Sequence, residues 1–397
     1  MNKKNFLHYG QQKIEKDDID SVIKVLRSDF LTTGPMVKKF EDKLCEITDS
    51  KYSVVCSNGS TAIVLSYLSL GIDKNTTCIM PSLTFAAAAN AARALGAKVI
   101  FCDNCPTSGL VRPIDLINIL KENKFRKAFF IPVHLNGQCV DLESLSKICL
   151  KNNIIMIEDA SHALGTKFIK NDGSISHIGS CKYSDMTTFS FHPVKTITMG
   201  EGGAVTTNNK ELYDKLILFR NNGIMRSPKL FKERKLNSSR FKDSSYYEIH
   251  ENGFNFRASD INCALGLSQI KKLNKIARKR KKLVSIYDKL FISEEKWLKV
   301  IKKFSFSDTV YHLYVVLINF DKIKIQRPEL IYKLRENNIG TMVHYIPLHL
   351  QPIFKGRNNL KGAEAYYKKC LSLPLHVNMN VSDVKLVFMK LKELIIN

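Results

Sequence analysis

The sequence has no run of 18 or more apolar residues, which argues against a helical membrane span. No apolar stretch follows the two lysines of MNKKNFLHYG, so the N-terminus does not read as a secretory signal. Both features lead to the expectation of a cytoplasmic protein. Ten cysteines are present but scattered, and only Cys102 and Cys105, in FCDNCP, lie close together. A zinc site needs a second pair or spaced histidines, so no metal is expected and buried reduced thiols are. Aromatic residues do not interleave with the basic ones as a base-stacking platform requires. The net charge of +24 is therefore not read as a nucleic-acid footprint. Its densest run, KKLNKIARKRKK (Lys271 to Lys282), keeps Leu273, Ile276 and Leu283 at helical spacing, the mark of a solvated amphipathic helix. No repeat or low-complexity tract is evident.

What the chain does have is core-forming capacity. Hydrophobic residues make up 44% of the 397 residues and charged residues 25%, enough for two or three domains, or one large and one small. From about residue 53 to 220, short apolar runs alternate with helix-like segments. YSVVCS (52–57), TCIMPS (77–82), AKVIFCD (97–103), KAFFIPVH (127–134) and IIMIEDA (154–160) read as strands. TAIVLSYLSLG (61–71), TFAAAANAARALG (84–96) and LESLSKICLKNN (142–153) read as helices. This rhythm predicts an α/β fold with a mainly parallel sheet covered by helices. The polar, Ser-rich stretch 225–252 interrupts it as a long excursion. One long helix over about 258–290 is expected to lead into a smaller C-terminal α+β domain. There, 311–318 and 341–347 read as strands, and 328–338, 363–371 and 382–395 as helices. The expected division is 1–285 and 286–397.

Ligands of parallel sheets bind beyond the carboxyl ends of the strands, and four segments there carry chemistry. SNGSTAI begins a helix whose free N–H groups, with Ser60 and Thr61, form an anion cup; plain helix capping is the competing reading. Phe85 in TFAAAA is placed to cover a flat ring, or simply belongs to the core. In IIMIEDASHALG four apolar residues deliver Glu158 and Asp159 to the strand end, with His162 three residues on. A carboxylate there can pair with a protonated ring nitrogen, or cap a helix. FSFHPVKTITMGEGGAVTT, Phe189 to Thr207, places Ser190 five residues before Lys195 and sets Gly200, Gly202 and Gly203 after it. A desolvated lysine loses its proton and becomes a nucleophilic amine. A phosphate cup, a ring stack, a carboxylate for a ring nitrogen and a Schiff-base lysine together specify pyridoxal 5′-phosphate.

These segments, together with PSLTFAAAANA and GFNFRASDINCALG, resemble in order and spacing the DegT/StrS-type sugar aminotransferases, from about residue 6 to 395. The resemblance implies a pyridoxal-phosphate transferase of fold type I that forms a homodimer with shared sites. It implies that Lys195 holds the cofactor covalently and moves protons, and that Asp159 pairs with the ring nitrogen. Phe85 and His162 sit near the ring, and Ser60, Thr61 and Ser190 bind the phosphate. Asn255 reaches the phosphate in the neighbouring subunit. Tyr9, Asp29, Phe30, Leu31, Thr32, Asn58, Met342, Val343, His344 and Tyr345 line the sugar-nucleotide pocket. The implied reaction moves an amino group from L-glutamate, with pyridoxamine phosphate in between, to C4 of a UDP-linked 4-keto-6-deoxy sugar. A subgroup acting on a UDP-linked 4-keto pentose shares much of the pattern, and a perosamine-type nucleotide sugar is a further alternative. Met342 stands where a polar residue is expected, and SNGST where NSATS is more usual. A sugar dehydratase of the same fold resembles sequences with histidine in place of Lys195. A regulatory DNA-binding protein of that fold would need neither Lys195 nor Asp159.

Overall fold

The computed structural model describes residues 6–232, 245–294, 296–354 and 359–396. Seven strands form the central sheet: β1 (Tyr52–Cys56), β2 (Thr77–Pro81), β3 (Lys98–Cys102), β4 (Ala128–Phe130), β5 (Ile154–Asp159), β6 (Met186–Ser190) and β7 (Gly203–Thr207). Their order is β1-β7-β6-β5-β4-β2-β3. The pairs β2/β3, β2/β4, β4/β5 and β5/β6 are parallel, and β7 runs antiparallel to both β6 and β1. Strands covered on both faces need continuous apolar runs, and the all-buried β4, Ala128 to Phe130, shows that pattern.

Helices α1 (Lys16–Leu26) and α2 (Pro35–Thr48) precede the sheet. Between its strands run α3 (Gly59–Leu70), α4 (Ala87–Ala94), α5 (Pro113–Glu122) and α6 (Leu142–Lys151). After it come α7 (Lys210–Arg220), α8 (Asp260–Lys271) and α9 (Leu273–Phe291). Asn58 caps α3 by accepting from the Thr61 N–H at 2.9 Å, and Gly71, at φ 68°, closes it.

Beyond α9, strands β8 (Leu298–Val300), β9 (Tyr314–Ile318) and β10 (Cys370–Leu373) make an antiparallel sheet in the order β8-β9-β10. Helices α10 (Arg327–Glu336), α11 (Lys361–Lys369) and α12 (Val381–Ile396) accompany it. The side chains of β9 alternate between two buried clusters. Val315 and Leu317 join the cluster built on the seven-stranded sheet. Tyr314, Val316 and Ile318 join a second one with Leu283, Tyr287 and Phe291 of α9 and Val384, Val387 and Leu391 of α12.

Three expectations need correction. The helix expected over 258–290 is two helices that meet at Lys272, whose ammonium ties the junction to Asp17 and Asp18 of α1 at 2.6 and 2.8 Å. The stretch 341–347 is not a strand. Only Met342 is bridged, to Ser372, and the next backbone anchor is the Leu348 N–H on the Ser82 carbonyl. Between them lie side chains that face a cavity, and Pro347, which has no N–H to give a ladder. The last turn expected for the 363–371 helix is instead the start of β10. The ends of the 225–252 excursion are joined by antiparallel pairing of Ile224–Met225 with Glu248–Ile249. Its centre, 233–244, lies outside the described residues.

Candidate active site

The carboxyl ends of β5 and β6 and the start of α3 meet at a cavity of about 700 Å³. Helix geometry leaves the first N–H groups of α3, those of Gly59 and Ser60, without intrahelical partners. Ser190 ends β6 directly opposite. A Cβ on Gly59 would stand 2.7 Å from the Ser190 Cβ, so only glycine lets the two segments close into a cup. Gly203 serves the same closure from β7, where a Cβ would lie 2.2 Å from the Asn58 carbonyl oxygen.

Strand alternation separates the two carboxylates at the end of β5. Glu158 points away from the cavity and is held by His134 at 2.8 Å and by the Ser184 and Thr187 hydroxyls. Asp159 points into the cavity, 6% exposed, and its Oδ1 accepts from the Ser161 N–H at 3.0 Å. The alternation therefore assigns the site carboxylate to Asp159 alone.

Lys195 sits on the loop between β6 and β7. Phe191 fixes that loop at both ends: its N–H donates to the Gly202 carbonyl at 2.8 Å, and its carbonyl accepts from Met199 at 2.9 Å. The Phe191 ring is fully buried and packs edge-on against Phe40 and parallel to Phe189. Desolvation pulls the Lys195 amine down to about 8, and the charge of Asp159 offsets only part of this. The shift has a sign that can be checked. Below about pH 8 the amine is protonated and unreactive. At pH 7 about one amine in ten is free, against roughly one in three thousand for an ordinary lysine. The rate at which apoprotein captures pyridoxal phosphate is therefore expected to climb with pH up to about 8 and to level off above it. A rate still climbing beyond pH 10 would contradict the depressed value.

Three imidazoles surround the amine. His162 is buried, with its Nε2 3.2 Å from the Tyr345 hydroxyl and its Nδ1 unpartnered. His312 packs against it, tilted by 40°, at 4.2 Å between ring centres. His344 bonds Ser372 through Nδ1 at 2.8 Å and leans on Tyr9. Burial, and then the nearby Lys195 charge, pushes His162 well below the imidazole range and His344 down to about 3; burial and neighbouring cations do the same to His312. All three are neutral at physiological pH. The Phe85 ring is 63% exposed and lines the mouth, 6.3 Å from the Tyr345 ring. It is not a core residue.

Of the residues singled out from sequence, the cavity gathers Tyr9, Asn58, Ser60, Phe85, Asp159 and His162. It also gathers Ser190, Lys195 and the segment Met342 to Tyr345. Thr61 is not among them: its hydroxyl donates to the Asn58 carbonyl at 2.7 Å and receives the Asn58 N–H at 3.0 Å, completing the α3 cap. Asp29, Phe30, Leu31 and Thr32 are exposed and lie away from this cavity, tied to the start of α8 by the Thr32–Ser259 bridge and by the Asp260 N–H on the Leu31 carbonyl. Asn255 is likewise exposed, in a bridge with Asn221. Sequence reasoning gave no role to His312, although it sits in the stretch 311–318, or to Thr84, whose buried hydroxyl has no partner among the described residues. Next to aromatic residues, each was indistinguishable from a core position.

The unmet polar atoms on Thr84 and His162, the glycine-lined cup and the free Asp159 carboxylate fit a planar, phosphorylated cofactor. A mainly parallel sheet with one antiparallel strand, carrying a desolvated lysine on the loop before that strand, defines a pyridoxal-phosphate transferase of fold type I. The chain belongs to the DegT/DnrJ/EryC1/StrS aminotransferase family, whose sequence profile matches residues 12–392, and its cofactor is pyridoxal 5′-phosphate. It is 38% identical over 383 residues to the UDP-4-amino-4,6-dideoxy-N-acetyl-beta-L-altrosamine transaminase of Campylobacter jejuni subsp. jejuni serotype O:23/36, covering 96% of this chain and 95% of that one. It is 30% identical over 401 residues to the spore coat polysaccharide biosynthesis protein SpsC of Bacillus subtilis, with 99% and 98% covered. Among solved structures, Helicobacter pylori PseC, an aminotransferase involved in the biosynthesis of pseudoaminic acid, superposes with a TM-score of 0.87 at 28% identity, covering 98% of this chain and 99% of that one.

Proposed function

We propose that this enzyme transfers an amino group from L-glutamate to C4 of UDP-2-acetamido-2,6-dideoxy-β-L-arabino-hex-4-ulose, in pseudaminic acid and surface-glycan biosynthesis in the cytoplasm. The observation that carries the reading is the Lys195 amine, held near pH 8 in one cavity with Asp159 and the α3 cup. The similarity to the Campylobacter transaminase supports the choice of sugar.

When bound, pyridoxal phosphate supplies an electron-accepting ring that carries the amino group from donor to acceptor. The protein's own groups do the rest. Lys195 would hold the cofactor's aldehyde through its amine and, when free, would take and return a proton at Nζ. Asp159, whose Oδ1 accepts from Ser161, would pair through its other carboxylate oxygen with the protonated ring nitrogen and keep it charged. The Gly59 and Ser60 N–H groups and the Ser60 and Ser190 hydroxyls hold the phosphate. His162, oriented by the Tyr345 hydroxyl at 3.2 Å, would lie beside the ring. Tyr9, Asn58 and the segment Met342 to Tyr345 line the space left for the sugar. Incubation of holoenzyme with L-glutamate and the keto sugar should give the 4-amino sugar and 2-oxoglutarate by mass spectrometry. Amination of a UDP-4-keto pentose alone would replace the substrate and keep the chemistry.

We also propose a homodimer in which Asn255 and the Asp29 to Thr32 segment serve the partner's site, and a domain division near residue 285. Their exposure, away from the cavity of their own chain, supports the first part. Mixing Lys195→Ala with Asn255→Ala protein is then expected to restore activity to about a quarter of wild type, since half of the random dimers carry one intact site. No recovery after subunit exchange would reject shared sites.

A further inference from the structure

The basic run on α9 does more than face solvent. Its inner side walls a second cavity of about 230 Å³, closed opposite by Gln11 to Lys13 and by Lys195 to Thr198. Lys195 is the residue whose atoms border both this cavity and the catalytic one.

The lining is heavily cationic. Lys13, Lys272, Lys275, Lys279 and Arg280 face a single carboxylate of the lining, Glu15. Glu15 lies 2.8 Å from Lys13, 3.2 Å from Lys272 and 3.8 Å from Lys275. Asp17 and Asp18 also engage Lys272, from outside the lining. Set against all three carboxylates, the five cations leave a surplus of two. Lys279 has no ion-pair partner among the described residues.

Arg280 decides the matter. It is 1% exposed, and its guanidinium donates only through Nη1, to the carbonyls of Tyr311, His312 and Leu375 at 3.0–3.2 Å. Among the described residues Nε has no partner and no carboxylate pairs with the group. A buried cation without a counter-ion is costly, and a fork with unused donors is the group best matched to an oxyanion. Burial pulls Arg280 down to about 10, which still leaves it charged at neutral pH.

We propose that this cavity binds a phosphate-type oxyanion, at a site separate from the cofactor's phosphate cup. The ion is either free phosphate or diphosphate, or the diphosphate end of a nucleotide. The volume holds such an ion with some of its water.

The test is calorimetric titration of holoenzyme, in which the cofactor already fills the cup, with inorganic phosphate and inorganic diphosphate at low ionic strength. Saturable binding of one ion per chain is expected. The Lys275→Ala/Lys279→Ala variant, changed only at the mouth, should bind at least about tenfold more weakly with an unchanged melting temperature. Arg280→Lys should retain part of the affinity through its charge. Displacement of diphosphate by UDP would identify the nucleotide as the source, and indifference to UDP a free ion. Absence of binding to wild type, or equal affinity in the double variant, overturns the proposal. The titration requires no turnover, so it stands or falls independently of the assigned reaction.

Discussion

Lys195→Ala protein is expected to lose transamination by about 10⁴-fold or more, because one substitution removes both the covalent anchor and the proton carrier. The fold should survive. Lys195 lies on a loop whose ends are fixed by Phe191 backbone bonds, not by the lysine side chain. Loss of a desolvated cation also removes a destabilising group at pH 7, since the unfolded chain binds a proton more tightly than the native site does. The variant's melting temperature at neutral pH should therefore equal or exceed that of wild-type apoprotein. That advantage should shrink as pH rises above about 8 and vanish only above the unfolded lysine's own value of 10.5, where both states are neutral. Single-turnover assays with small external amines give a sharper readout: if Lys195 moves the proton, they restore part of the rate. A variant that still turns over near wild type, or one that is unfolded by circular dichroism, would remove the basis of the assignment.

The second large effect is expected at Asp159. Asp159→Asn keeps the size and the hydrogen bond from Ser161 but removes the negative charge that pairs with the ring nitrogen. Amination should fall by about 10²- to 10³-fold, in the range seen when one preorganised electrostatic partner is deleted. The neighbouring Glu158→Gln is the control. Glu158 accepts from Ser184 and Thr187 and contacts His134 inside the protein, away from the cavity. It should cost about 1–3 kcal/mol of stability with little change in kcat. Two adjacent carboxylates thus give opposite signatures, one kinetic and one thermodynamic. Equal kinetic losses at both positions would show that the strand does not sort them as described.

Much of this was legible in the sequence because the parallel sheet writes itself plainly. Its strands are buried on both faces, so TCIMP and IIMIE stand out as apolar blocks followed by the site residues. The proposed pair is legible in the same way: Asp159 closes the IIMIE block, and Lys195 comes five residues after Ser190, which ends β6. Less legible was anything that depends on how distant segments meet. Met342 to Tyr345 carries alternating residues and reads as a strand, yet its side chains are committed to a cavity and only Met342 is bridged. The break at Lys272 is set by carboxylates some 250 residues earlier, at Asp17 and Asp18, which no local helix signal contains. Thr61 reads equally well as a phosphate ligand and as a cap, and only the bonds to Asn58 separate the two. Arg280 is hidden in a basic run: sequence cannot distinguish the one cation that turns inward from the neighbours that remain outside.

Strand β9 sends alternate side chains into two buried clusters. Mechanically it is a party wall, and neither room keeps its enclosure without it. Removing the chain after α9 would strip Val315 and Leu317 from the interior that supports the catalytic strands, as well as dissolving the second interior. The two units should therefore melt together in a single calorimetric transition, and truncations near residue 300 should yield insoluble protein in place of a small, independently folded catalytic fragment.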